Sequence, residues 1–124
     1  MSRPHLRGAS ILLVEDQPLI ALDISMAIEK AGAHLTTTNG VEHARLLVEH
    51  DGLSGAILDH ALTDGDITSL CTRLAERGIP FLMYSGYPSF DGACKDAPHL
   101  TKPASHDQLL DALEALIRDA KISN

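Results

Sequence analysis

The sequence predicts an α/β fold, a doubly wound five-stranded parallel sheet with helices on both faces, and three observations predict it. Short apolar runs alternate with amphipathic segments from Ala9 to Lys121, which is the pattern of successive β-α units. The runs Ile11–Val14, Gly55–Leu58 and Phe81–Met83 are apolar throughout rather than alternating, as strands covered on both faces must be. Two of these runs end in acids, Glu15–Asp16 and Asp59, at the rim where ligands sit in sheets of this kind.

Each element has its own signal. After strand 1, Ile11–Val14, Pro18 suits a first helical position, and Ile20, Ile24, Ala27, Ile28 and Ala31 recur at helical spacing until Gly32 stops them. Leu35–Thr38 reads as strand 2, and its weaker hydrophobicity suits an edge. Val41, Ala44, Leu47 and Val48 mark one face of helix 2, which ends at Asp51–Gly52. Strand 3, Gly55–Asp59, delivers its carboxylate into His60 and the turn Thr63–Asp66. Ile67, Leu70, Cys71 and Leu74 form the buried stripe of helix 3, ended by Gly78, and Pro80 leads into strand 4, Phe81–Ser85. Gly86–Pro98, with its prolines and glycines, supports only a short fourth helix. Leu100–Thr101 is a brief fifth strand before Lys102–Pro103. Ser105 and Gln108 make a capping box for a last helix carrying Leu109, Ala112, Leu113, Leu116 and Ile117.

A chain of 124 residues is expected to form one domain, residues 1–124 with a core from about 9 to 120, and no output domain. Cys71 and Cys94 are far apart with no metal-type spacing, so neither a disulfide nor zinc is expected, and Cys71 reads as core filling. The N-terminal apolar run is cut off by Glu15, so no signal peptide or membrane span is expected and the expected location is the cytoplasm. Seventeen acids against ten bases give a formal charge of −7, which argues against direct nucleic-acid binding and suits a cation or a basic partner.

Glu15, Asp16, Asp59, Ser85 and Lys102 all fall at the carboxyl edge of the predicted sheet. Three carboxylates within about 5 Å repel by about 3 kcal/mol per pair at an effective dielectric near 20, so the site calls for a proton or a cation. Oxygen ligands without His or Cys select a hard ion such as Mg²⁺, which leaves room for a phosphate oxygen. Lys102 then neutralises a phosphoryl group, the Ser85 hydroxyl donates to it, and Asp59 is a nucleophile toward phosphorus that gives an acyl phosphate.

These residues carry a resemblance. Leu13–Val14–Glu15–Asp16, Ile57–Leu58–Asp59, Tyr84–Ser85–Gly86 and Thr101–Lys102–Pro103 stand in the order and on the elements of the receiver (response-regulator, CheY-like) domain of two-component signalling, which the whole chain resembles. The resemblance implies strand order 2-1-3-4-5 and a cis Lys102–Pro103 bond. It implies that Asp59 accepts phosphate from a histidine kinase or histidine phosphotransfer protein, and that Glu15, Asp16, Asp59 and the Ala61 carbonyl hold Mg²⁺. It further implies that Ser85 and Lys102 read the phosphoryl group, and that the protein signals to an unknown downstream protein as a monomer or weak dimer. The chain departs from the family pattern in several places. The loop after Asp59 is short and lacks a proline, His99 stands where an aromatic switch residue is usual, Ala104 follows Lys-Pro, and the Ser85–Lys102 segment is short. His60 at the entrance and Tyr87 after Ser85–Gly86 complete the candidate list.

The same residues admit other readings. A phosphate sink, a non-phosphorylated interaction module and the receiver segment of a hybrid kinase all share this fold. An aspartate-nucleophile phosphatase needs a second acid two positions after the first, where Ala61 stands. A flavin site needs amides and hydroxyls after strand 1, where the loop is acidic.

Overall fold

The computed structural model describes residues 3–59, 66–86 and 92–123. Its elements are β1 (Ser10–Val14), α1 (Pro18–Lys30), β2 (His34–Thr38), α2 (Val41–Leu47), β3 (Gly55–Asp59), α3 (Ile67–Glu76) and β4 (Phe81–Ser85), followed by a 3-10 turn (Gly92–Cys94), β5 (His99–Thr101) and α4 (His106–Ser123). The strands form one parallel sheet in the order β2-β1-β3-β4-β5, the doubly wound arrangement the sequence predicts. Among the described residues no helix is long and apolar enough to cross a membrane.

The sheet sorts its side chains by pleat. Leu12, Val14, Ala56, Leu58, Phe81 and Met83 pack with Val41 and Ala44 of α2, with Val48 just after it, and with Leu70 and Leu74 of α3. Ile11, Leu13, Ile57, Leu82 and Tyr84 pack with Ile24 and Ile28 of α1 and with Leu109, Leu113 and Ile117 of α4. Successive strand residues thus feed opposite layers, and all five residues of β3 are buried. Trimming Leu58 to Ala in such a core costs about 3 kcal/mol. The edge strand β2 buries only Thr38, in keeping with its weaker apolar signal.

Local chemistry sets the helix ends. Asp66 accepts a 3.0 Å hydrogen bond from the Thr68 amide at the start of α3. Before α4 the capping box closes in both directions: the Gln108 amide donates to Ser105 Oγ at 3.1 Å and the Ser105 amide donates to Gln108 Oε1 at 2.9 Å. The Lys102–Pro103 bond is cis.

Between β4 and β5 the described residues hold one short helical element, the turn Gly92–Cys94, in keeping with the short fourth helix expected there. The structure differs from the sequence reading in two respects. Cys71 and Cys94, expected to be unpaired, form a disulfide with Cα atoms 5.3 Å apart. Spacing along the chain concealed this pair, since α3 and the turn come together only through the β-α-β crossover. The packing also extends further toward the N-terminus than expected. Leu6 is fully buried, the His5 amide donates to Glu114 Oε1 at 2.7 Å, and Arg3 bridges Asp107 and Asp111 on α4.

Candidate phosphoryl and metal site

Parallel pairing brings the site together. Val14 lies opposite Leu58, and Asp59 lies opposite Tyr84, so the residues that follow β1 and the last residue of β3 arrive at one rim. Ser85 pairs with Thr101 at the end of the β4-β5 ladder, and Lys102 comes next, its amide donating to the Ser85 carbonyl at 2.9 Å. Four strand ends therefore supply five side chains to one edge.

Glu15, Asp59 and Ser85 are buried and Asp16 is exposed. One oxygen from each of Glu15, Asp16 and Asp59 lies within 4.8 Å of the others, so the three carboxylates converge as the sequence predicts. Lys102 Nζ stands 3.3 Å from Glu15 Oε1 and 3.3 Å from Asp59 Oδ2. The ammonium partly offsets the crowded negative charge that burial would otherwise make costly.

The electrostatics follow from this crowding. Burial, joined by a hydrogen bond to Asp59, pushes the Glu15 carboxyl up from 4.5 to about 7, while the Gln17 amide and Lys102 pull the other way. That amide donates to Glu15 Oε2 at 3.1 Å. Burial draws the Lys102 ammonium down, but the charges of Asp59 and Glu15 outweigh it and hold its pKa above the ordinary lysine value. The pocket thus sets the Lys102 ammonium beside a Glu15 carboxyl whose burial favours its protonated form.

Tyr84 is a site residue that the sequence reading passed over. Its ring centroid lies 5.3 Å from Lys102 Nζ, and its hydroxyl accepts a 3.2 Å hydrogen bond from the Ala104 amide just beyond the cis proline. The aromatic face and this tie fix the loop that carries Lys102. Its signal was an aromatic on the strand residue directly before Ser85. His99 begins β5 opposite Met83 and is half-buried, two residues back from the rim. His60, Ala61 and Tyr87 lie outside the described residues, as does the turn Thr63–Gly65.

Beside the rim, Leu19, Ile20, Asp23, Ile24, Tyr84, Lys102, Pro103 and Ala104 line a cleft of about 310 Å³. Along the outer side of α1, Leu19, Leu22 and Met26 are 81%, 57% and 63% exposed. Their spacing puts these three on one helix face.

No family model matches the chain. The chain is 30% identical to the transcriptional regulatory protein TcrA of Mycobacterium tuberculosis over 124 aligned positions, which take in 93% of this chain and 48% of TcrA. It spans about half the length of the curated relatives it matches. Among solved structures, a CheY-like response regulator receiver domain protein from Methanospirillum hungatei JF-1 superposes with a TM-score of 0.84 at 22% identity, over 94% of this chain and 99% of that one. The receiver domain of sensor histidine kinase PA1611 from Pseudomonas aeruginosa PAO1, with a magnesium ion coordinated in its active-site cleft, superposes with a TM-score of 0.78 at 23% identity, over 90% of this chain and 98% of that one.

Proposed function

We propose, from a chain that has the CheY-like response-regulator receiver fold, that it is a phosphoacceptor signalling protein which takes a phosphoryl group onto Asp59. The observation that carries this reading is the meeting of Asp59, Glu15, Asp16 and Lys102 at one rim, with oxygen atoms of the three acids within 4.8 Å and the ammonium 3.3 Å from two of them. An all-oxygen donor set with one exposed and two buried carboxylates fits a hard divalent cation, so Glu15, Asp16 and Asp59 would hold Mg²⁺. When bound, the ion would supply positive charge for the phosphoryl oxygens.

The chain's own residues account for the rest. An Asp59 carboxylate oxygen attacks phosphorus, the bond to the donor's imidazole nitrogen breaks, and the imidazole leaves and takes a proton from solvent. Lys102 turns from the carboxylates to a phosphoryl oxygen, and the Ser85 hydroxyl donates to another. The Tyr84 ring and the Ala104–Tyr84 hydrogen bond hold the Lys102 loop in place during this exchange.

The phosphodonor is a histidine kinase or a histidine phosphotransfer protein. The exposed stripe Leu19–Leu22–Met26 beside the cleft at Lys102 offers an apolar face on which a donor's helix could bury itself next to the site. The output is a downstream protein contact.

The test is incubation of the full chain with acetyl phosphate and Mg²⁺, read by intact mass. The proposal expects one added phosphoryl group, dependent on Mg²⁺ and absent in Asp59→Asn. Addition that persists in Asp59→Asn would assign the acceptor to another residue.

A further inference from the structure

The Cys71–Cys94 bond joins α3 to the turn between β4 and β5, and both cysteines are buried. The remainder of the fold has support of its own, because the five-stranded sheet is covered on both faces by two extensive apolar clusters. What the bond does fix is local. The turn Gly92–Cys94 is three residues long, too short to hold itself together, and its covalent anchor is Cys94.

The surroundings accommodate both oxidation states. Cys94 Sγ lies 3.5 Å from the Ile67 carbonyl, and Cys71 Sγ lies 3.9 Å from Met83 Sδ. In the bonded form these are close packing contacts. In the dithiol form the same atoms accept from the two S–H groups, so neither thiol is left as a buried donor without an acceptor. Met83 is on β4, two residues before Ser85, which places the bridge against the strand that ends in the candidate site. An apolar cleft of about 410 Å³ runs along the same seam, walled by Ala75 of α3, Ile79, Phe81, Ala93 and Ala97 among others. It flanks Cys94 on both sides in sequence and gives the turn space to move into.

We infer that Cys71 and Cys94 form a reversible redox couple, a modification site at which a cellular dithiol reduces the bond and a peroxide restores it. The state of the couple sets whether the segment 92–98 is held on α3 or released. In reduction, movement of the turn into the cleft opens the bond to solvent, a thiolate of the dithiol attacks one sulfur, the Cys71–Cys94 bond breaks and the departing cysteine takes a proton. The second thiol of the dithiol then attacks the mixed disulfide, releasing the other cysteine as a thiol and leaving the dithiol oxidised. In the reverse direction, one cysteine thiolate attacks the peroxide oxygen and becomes a sulfenic acid with release of hydroxide. The second thiol displaces the sulfenic oxygen as water and closes the bond. One premise rests on the phosphoacceptor reading: a protein served by a phosphohistidine donor works in a reducing compartment, where disulfides that form belong to the switching class.

The experiment uses the full chain in two states, treated with dithiothreitol or with hydrogen peroxide, without denaturant. Thiols are counted by iodoacetamide labelling and intact mass, and backbone amide exchange is followed by peptide. The expected result is full reduction and full reoxidation of the folded protein, with exchange over 93–97 faster by about tenfold or more in the reduced form and β1 unchanged. Cys94→Ala should exchange like the reduced wild type under both treatments. A bond that yields only to denaturant, thiols that peroxide leaves free, or exchange over 93–97 that is identical in the two states would each overturn the inference. The wild-type comparison decides the matter even where the variant does not fold. Acetyl phosphate labelling of both states separates the two readings. Labelling in neither, with the exchange contrast intact, removes the phosphoacceptor reading alone, whereas labelling with no contrast removes the redox couple alone.

Discussion

Lys102 Nζ lies 3.3 Å from Asp59 Oδ2. The two residues are brought together from different strands, Asp59 as the last residue of β3 and Lys102 as the residue after β5. Their contact makes the pocket a balance of charge rather than a cluster of acids, and that balance governs how the protein should respond to substitution, protons and metal.

Removing one carboxylate should relieve the pocket. In Asp59→Asn the buried Glu15 keeps Lys102 as its partner at 3.3 Å without a second acid beside it. The metal-free protein should gain about 1 kcal/mol, a rise of a few degrees in melting temperature, and should lose its response to Mg²⁺. Thermal melts of the two proteins with and without Mg²⁺ check this. A variant that melts below wild type and is still stabilised by Mg²⁺ would count against carboxylate convergence.

The Glu15 carboxyl should make stability fall as pH rises. Its pKa is pushed up from 4.5 to about 7 in the folded chain, so between these values the folded state holds a proton that the unfolded state has released. Raising the pH therefore favours unfolding across that window and has no further effect through this group above it, with a total loss of about 1–3 kcal/mol. Urea titrations from pH 5 to 8 in metal-free buffer measure the slope, and Glu15→Gln should flatten it. An equal slope in both proteins would exclude Glu15 as its source.

The α1 stripe should matter for one phosphodonor and not the other. Leu22 is 57% exposed, so Leu22→Glu should change stability by no more than about 0.5 kcal/mol. It should slow phosphotransfer from a phosphohistidine protein about tenfold or more, the loss of a central apolar contact, while labelling by acetyl phosphate proceeds at the wild-type rate. Equal slowing with both donors would place Leu22 in the chemistry instead of in docking.

The disulfide should add stability through the chain it closes. Its cysteines are 23 residues apart, and in the chain-entropy account a loop of that size is worth about 3 kcal/mol. Reduced and oxidised protein compared by denaturant unfolding give the difference. No difference between them would mean that the reduced unfolded chain is already as restricted as the bridged one.

Much of this molecule was legible because its signals are local. Apolar runs ending in acids gave β1 and β3 and the convergence of Glu15, Asp16 and Asp59, and the Ser105–Gln108 box marked the start of α4. The properties that escaped depend on contacts between distant segments. Leu6, alone among polar residues, carries no periodicity, and only the fold reveals that it fills a space between α1 and α4. Cys71 and Cys94 lack any spacing signature, and their pairing follows from the packing of the turn Gly92–Cys94 on α3. Tyr84 looked like strand filling, and only the arrival of Lys102 over its ring gives it a second role.

Every role proposed at the rim follows from Asp59 as the residue that receives the phosphoryl group. After exposure of the full chain to acetyl phosphate and Mg²⁺, borohydride reduces an aspartyl phosphate to homoserine, and peptide mass analysis locates it. Homoserine is expected at position 59 and nowhere else. Conversion at another acid, or phosphate retained after borohydride on a hydroxyl or imidazole, would place the acceptor elsewhere.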